Sequence, residues 1–323
     1  MTAPLLSVRD LTTRFRTERG QVTAVDRVSF DVAAGETVAI VGESGSGKSV
    51  TAMSILRLIP NPPGRIEGGE ILFDGEDLLK LPEAGIRAVR GDRIAMIFQE
   101  PMSSLNPSLT VGMQVAEPIN LHRGTPWRAA LGRAKDLLGK VRMSDPESRV
   151  VAYPHQFSGG MRQRAMIAMA LACEPKLIIA DEPTTALDVT VQAQILDLIQ
   201  ELARAANSSV ILITHDLGVV ARYAQRVVVM YAGRVVETAP AAELYARPRH
   251  PYTRGLMASV PKLDGDTEQR LVPIEGQPPD LAALPPGCAF APRCRHVTER
   301  CRTERPELRE VGEQHRIACL FDL

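Results

Sequence analysis

No stretch of about 18 consecutive apolar residues occurs in this sequence, which excludes a membrane-spanning helix of ordinary length. Surplus charge is missing too. The 38 Lys and Arg residues are matched by 38 Asp and Glu, so no global basic field argues for a nucleic-acid partner. The opening residues Met1 to Ser7 lack the basic start and long apolar region of a secretory leader, and a cytosolic location is expected. Cysteine is sparse, with five in all; in a cytosolic chain this points to metal or free thiols rather than disulfides. Four of the five fall within the last 36 residues, which is the main compositional anomaly. Apolar residues are not scarce. At 45 % of 323 residues they suffice for one large domain with a small appendage, or for two domains.

The most informative stretch runs from Thr37 to Ser49. Thr37-Val38-Ala39-Ile40-Val41 is short and rich in β-branched residues, as a buried parallel strand should be. Gly42-Glu43-Ser44-Gly45-Ser46-Gly47-Lys48-Ser49 then fills the phosphate-loop pattern G-x-x-x-x-G-K-[ST] at every fixed position. The apolar-periodic run from Val50 to Leu58 reads as the helix that this loop opens. Glycines allow positive φ, so backbone N–H groups can curl around an anion, and the helix N-terminus adds unpaired donors. Lys48 supplies a charge for the β- and γ-phosphates, and the Ser49 hydroxyl can ligate Mg²⁺. The pattern specifies a nucleoside triphosphate but not the machine that uses it.

Upstream, Leu6 to Leu11 and Val22 to Phe30 alternate as antiparallel strands around a polar turn at Thr17 to Gly20. Phe15 is placed to stack on an adenine ring or, equally, to serve as a core or edge-strand aromatic. Asn61-Pro62-Pro63-Gly64 is a turn, and Glu67 to Leu79 a hairpin through Asp74-Gly75. Arg93 to Gln99 reads as a buried strand ending on a lone Gln, and Glu100 to Pro107 as loop. From Thr110 to about Val151 the period becomes helical. Ser158-Gly159-Gly160 precedes another helix and forms a second Gly-rich anion site at a helix N-terminus. Lys176 to Glu182 is an apolar strand ending in two carboxylates, Val191 to Ala205 is helix, and Ser209 to His215 is a strand ending in His. Arg226 to Glu237 reads as a hairpin turning at Ala232-Gly233. Residues 256–323 are rich in Pro, Arg and Cys with weak periodicity, and read as a small irregular second module.

With these landmarks in order, the chain resembles the ATP-binding subunits of ATP-binding-cassette (ABC) transporters over roughly residues 5–250. The landmarks are the phosphate loop, Gln99, Ser158-Gly159-Gly160-Met161, Asp181-Glu182, Ala186-Leu187-Asp188 and His215. Within that family it is similar to the D-type ATPases of dipeptide/oligopeptide importers. This likeness rests on Phe98 to Pro107, Tyr153 to Arg164, Asp181 to Thr190, His250-Pro251-Tyr252-Thr253 and the four-cysteine tail. The resemblance implies an α/β fold with a RecA-like core, an antiparallel β subdomain and a helical subdomain at about 108–165. It also implies an ATPase domain over 5–255 and a Cys-rich module over 256–323.

The resemblance implies roles as well. Phe15, the loop from Gly42 to Ser49, Val50 and Gln99 would contact ATP, with Mg²⁺ held by Ser49, Gln99 and Asp181. Glu182 would act as general base for the attacking water, His215 would organise that water at the γ-phosphate, and Gln99 would sense it. Ser158, Gly159 and Gly160 would cap the ATP of a second ATPase subunit, commonly an unlike chain. Met161 stands where the family usually has Gln, while Ser158 and both glycines, the phosphate-contacting part, are kept. The stretch from Gln99 to about Glu117 would receive a coupling helix from the permease. The implied assembly holds two ATPases, two permeases and an extracytoplasmic peptide-binding protein at the cytoplasmic face of a bacterial inner membrane. ATP hydrolysis there would drive import of di- or oligopeptides. Nickel or another small solute is the alternative cargo. A soluble ATPase acting on nucleic acid is disfavoured, because there is a single cassette, no long coiled coil and no net charge.

Cys288-x5-Cys294-x6-Cys301-x17-Cys319 is neither a paired C-x2-C zinc pattern nor the bacterial ferredoxin run. Spacing alone gives four thiolates suited to one metal centre, which would staple a segment with little core. The family resemblance points to a [4Fe–4S] cluster, with zinc or reduced free thiols as alternatives, and a structural role is expected because no chemistry is evident near residue 288. Cys173 reads as a buried small hydrophobe.

Overall fold

The computed structural model describes residues 3–18, 20–185, 188–259 and 273–322. Ala186 and Leu187, part of one sequence landmark, lie outside them. The chain opens with β1 (Leu6–Thr17), β2 (Gly20–Val32), β3 (Thr37–Val41), α1 (Lys48–Ile55), β4 (Gly64–Phe73) and β5 (Glu76–Asp77). It continues with α2 (Glu83–Val89), β6 (Ile94–Ile97), α3 (Pro101–Ser104), α4 (Val111–Arg123), α5 (Trp127–Lys140) and α6 (Pro146–Arg149). Next come α7 (Gly159–Ala170), β7 (Leu177–Asp181), α8 (Val189–Ala205), β8 (Ser209–Thr214) and α9 (Leu217–Tyr223). It closes with β9 (Arg226–Tyr231), β10 (Arg234–Pro240), α10 (Ala241–Ala246), α11 (Pro251–Ala258), α12 (Glu299–Thr303), β11 (Arg309–Gly312) and β12 (His315–Ile317). Contacts divide it into two compact units, residues 1–79 with 213–323, and residues 80–212.

The first unit carries two sheets. One is antiparallel in the order β2-β1-β4-β5, with β1 and β2 running from Leu6↔Val32 to Thr17↔Gly20 around the expected turn. Its ladder is broken between Arg9 and Thr12, opposite Gly69. A side chain at Gly69 would collide with the Arg9 carbonyl, and its φ of +103° is one that glycine alone takes cheaply. The portion of the other sheet that lies in this unit orders its strands β11-β12-β10-β9-β3. The five residues of β3 are all buried, as expected for a strand covered on both faces, and β3 runs parallel to β9.

The tail is packed rather than appended. β12 pairs with β10 through Glu237↔Ile317 and Thr238↔Arg316. Strands of four and three residues carry too little periodicity to be seen in sequence, and this pairing was not expected. Glu237 is fully buried there. It accepts hydrogen bonds from the Arg249 and His250 backbone N–H groups (2.7 and 3.0 Å) and contacts His315 Nε2 at 2.7 Å. Phe290 joins a hydrophobic cluster with Val227, Val229, Tyr231 and Tyr252. Burial pushes His250 down to about 4, so the neutral ring accepts the Tyr252 N–H through Nδ1 at the start of α11.

In the second unit β6 and β7 run parallel, with β8 next to β7. The helical run expected from Thr110 to about Val151 appears as α4, α5 and α6, and the helix expected after Ser158-Gly159-Gly160 as α7. Thr110 caps α4 by accepting from Met113 N–H, and Gly124 ends it in the left-handed region. Ala130, Ala134 and Leu138 form the buried stripe of α5 at four-residue spacing. One correction concerns Glu100 to Pro107, expected as loop. Pro101 stands at the first position of the short helix α3, and the Ser103 and Ser104 hydroxyls bond back to the Glu100 carbonyl. Among the described residues no helix is long and apolar enough to cross a membrane.

Candidate functional site: a phosphate loop and a carboxylate pair

The phosphate loop belongs to the first unit and is held from both ends. β3 delivers it and α1 leaves it, with Gly47 at φ +99° capping the helix. A Cβ on Gly42 would strike the Met230 carbonyl and the Ser46 hydroxyl, and one on Gly47 would come within 2.5 Å of the Ala24 carbonyl. Only glycine fits at either position. The Lys48 ammonium donates to the Gly42 and Glu43 carbonyls at 2.8 and 3.0 Å and is almost completely buried. Ser46 is 4 % exposed, and its hydroxyl has no hydrogen-bond partner among the described residues. An orphaned buried hydroxyl in a glycine cradle, beside a lysine already folded over it, is the chemistry of a bound anion. These residues fit a triphosphate.

Ser44 and Gly45 are exposed on the loop, while Ser49 and Val50 are half-buried in the first turn of α1. Phe15 lies across Gly64, to which it is paired in the sheet; a Cβ there would lie 2.6 Å from its ring. His215 is exposed and directly follows β8.

The second unit carries the carboxylates. Asp181 ends β7 and is buried. Glu182 follows at φ +44°, a left-handed conformation that an ordinary side chain adopts at a cost. Its Oε2 accepts from Gln99 Nε2 at 3.2 Å and from Thr185 Oγ1 at 3.0 Å. Two donors on one oxygen fix the direction of the carboxylate. Sequence reasoning had brought Gln99 to this neighbourhood but missed Thr185, although the Asp-Glu-Pro-Thr-Thr run contains it. Ser158 and Gly159 are exposed at the N-terminus of the twelve-residue helix α7, where the Ser158 hydroxyl accepts from Met161 N–H at 3.4 Å.

Cys288, Cys294, Cys301 and Cys319 all line one small, almost wholly apolar cavity, together with His250, His296 and Phe290. Burial raises Cys288 to about 11 and also raises Cys294 and Cys319. Among the described residues no group of three or more His, Cys, Asp or Glu is spaced as a finished metal site. The donor set suits a thiophilic metal, but the thiols are gathered rather than set at ligand distances. Cys173 is buried, as expected.

Comparison with known proteins agrees with these features. The ABC transporter family profile matches residues 25–185, and the profile for the oligopeptide/dipeptide transporter C-terminal region matches residues 236–301. The oligopeptide transport ATP-binding protein OppD of Bacillus subtilis is 53 % identical, over 96 % of this chain and 87 % of its own length. The dipeptide transport ATP-binding protein DppD of the same organism is 51 % identical, over 98 % and 94 %. A probable peptide ABC transporter ATP-binding protein of Sinorhizobium fredii is 55 % identical, over 98 % and 94 %. Among solved structures, the dimeric cassette MJ0796 in a post-hydrolysis state with ADP and Pi superposes with a TM-score of 0.66. It is 28 % identical and covers 73 % of this chain and 98 % of its own. The chain therefore belongs to the ATP-binding subunits of ABC transporters, in the oligopeptide/dipeptide branch.

Proposed function

We propose that this protein is the ATPase that powers import of di- or oligopeptides through a membrane ABC transporter. The observation that carries the reading is the phosphate loop, in which Lys48 and the unpartnered Ser46 hydroxyl meet in a cradle only glycine can line. The backbone N–H groups of the loop and Lys48 bind the β- and γ-phosphates. Ser49, Gln99 and Asp181 hold Mg²⁺, which when bound neutralises charge building on the phosphates. Glu182, aimed by Gln99 and Thr185, draws the proton from the attacking water. His215 orients that water, and Phe15 lies beneath the adenine.

Ser158, Gly159 and Gly160 cap the nucleotide of a second, unlike ATPase, and the exposed N-terminus of α7 supports this. Phe98, Met102 and Met113 are large exposed apolar residues on or beside the segment from Gln99 to Glu117. They suit a coupling helix from one of two permeases. Residues 5–255 then form the ATPase, with its helical subdomain at about 108–165, and 256–323 a Cys-rich module joined to it. The assembly sits at the cytoplasmic face of the bacterial inner membrane, and an extracytoplasmic binding protein delivers the peptide. Cys288, Cys294, Cys301 and Cys319 hold a [4Fe–4S] cluster, which when bound cross-links the tail.

Two measurements test this. Tagged protein recovered from solubilised membranes should carry two permeases and a second ATPase; recovery with nucleic acid and no membrane chain overturns the reading. Anaerobically purified protein should contain about four iron and four sulfide per chain; zinc without iron removes the cluster.

A further inference from the structure

The second residue of the phosphate loop is gripped by the far end of the chain. Glu43 forms a two-pronged ion pair with Arg293, Nη1 to Oε2 at 2.6 Å and Nη2 to Oε1 at 3.0 Å, across 250 residues of sequence. All five N–H groups of the Arg293 guanidinium are used. Nε donates to the Glu275 carbonyl, the second Nη2 hydrogen to the Ile274 carbonyl, and the second Nη1 hydrogen to the Tyr231 hydroxyl. The side chain is 4 % exposed, and the stem of Arg293 packs on Gly276 at φ +80°. So complete an enclosure leaves the guanidinium one position.

The backbone of Glu43 is held as well. Its N–H donates to the hydroxyl of fully buried Tyr252 at 2.8 Å, and its carbonyl accepts from Lys48. Once Lys48 turns to phosphate, Glu43 is still held by Tyr252 at its N–H, by Arg293 at its carboxylate and by the Ser46 N–H at its carbonyl. Arg293 sits inside a tight turn whose backbone bonds run Ala291 to Cys288, Arg293 to Phe290 and Cys294 to Ala291. That turn begins and ends on two of the cysteines that share the apolar cavity.

We propose that Arg293 and Tyr252 are positioning residues for ATP, through which the cysteine-bearing tail sets the shape and charge of the phosphate loop. Arg293 neutralises a carboxylate that would otherwise stand, unpaired, in a loop built for a polyanion, and Tyr252 fixes the adjoining peptide. The tail is thereby part of the nucleotide site. The proposal rests on the ATP-binding reading of the loop. The plain alternative is a staple that adds stability without touching affinity, since a buried ion pair often does no more than break even with apolar packing.

A double-mutant cycle on the full chain separates the two. Dissociation constants for MgATP are measured by calorimetry, alongside the melting temperature of each nucleotide-free variant. Arg293→Ala should weaken MgATP about tenfold, because it unmasks the Glu43 charge and frees the loop. Arg293→Ala/Glu43→Gln should recover most of that loss although the ion pair is still absent, and Arg293→Lys should lie between. Tyr252→Phe should raise the dissociation constant about threefold, for one lost hydrogen bond, with little change in melting temperature. Wild-type affinity in folded Arg293→Ala and Tyr252→Phe, or a double mutant showing the sum of the two single losses, overturns the proposal. If Arg293→Ala fails to fold, Arg293→Lys and Tyr252→Phe decide. Wild-type protein that binds no MgATP would overturn the reading of the loop instead.

Discussion

At the scale of single residues the three loop glycines are not equivalent. Gly42 and Gly47 have backbone carbonyls where a Cβ would go, whereas Gly45 faces open space at φ +78°. Gly45→Ala should therefore cost only the left-handed strain, about 1–2 kcal/mol, and leave some MgATP binding. Gly42→Ala and Gly47→Ala should abolish binding and destabilise further; isothermal titration with denaturant unfolding checks the order. Equal losses at all three would mean that conformational freedom alone matters. The pattern of the loop was legible because phosphate chemistry dictates residue types at fixed local spacing. Thr185 was less so, since a threonine three residues from a carboxylate is unremarkable in sequence. Arg293 was invisible, because its partner lies 250 positions away.

At the scale of elements, caps and pairings carry the predictions. Ser158 caps α7 through Met161 N–H, so Ser158→Ala should cost about 1 kcal/mol of stability. If the same hydroxyl faces a partner's nucleotide, the change should also slow hydrolysis in the assembled pair. Binding of MgATP to the isolated chain should not change. A hydrolysis rate unmoved by Ser158→Ala would place the signature outside the site. Glu237 on β10 ties β12 and the start of α11 together. Glu237→Ala strands those donors in a buried site and should cost about 3 kcal/mol, read as a lower urea midpoint. Long strands and amphipathic helices were legible because their periods repeat, as in β1, β2 and α5. The single turn of α3 and the strands β11 and β12 repeat nothing, and their pairing is set by the rest of the fold.

At the scale of the whole molecule, the tail shares one compact unit with the phosphate loop. Residues 213–323 form one compact unit with 1–79, and Phe290 stacks edge-on against Tyr231 and Tyr252. Compositional contrast suggested an irregular appendage, but composition carries no information about what a segment packs against. Removal of the cluster proposed above should consequently loosen more than the tail. Protein stripped of that cluster by a chelator should lose hydrogen-exchange protection at Phe290, Tyr252 and Glu43 as well as at the four cysteines. Protection lost only within 288–319 would show that the tail is insulated from the loop.

The central claim is that Glu182 drives ATP hydrolysis harnessed to peptide import. The most direct measurement is peptide-stimulated ATP turnover by the assembled transporter in lipid vesicles, wild type against Glu182→Gln. The account predicts that turnover falls about 100-fold or more in the variant while MgATP is still bound. Wild-type turnover in Glu182→Gln, or wild-type hydrolysis indifferent to peptide and binding protein, would contradict it.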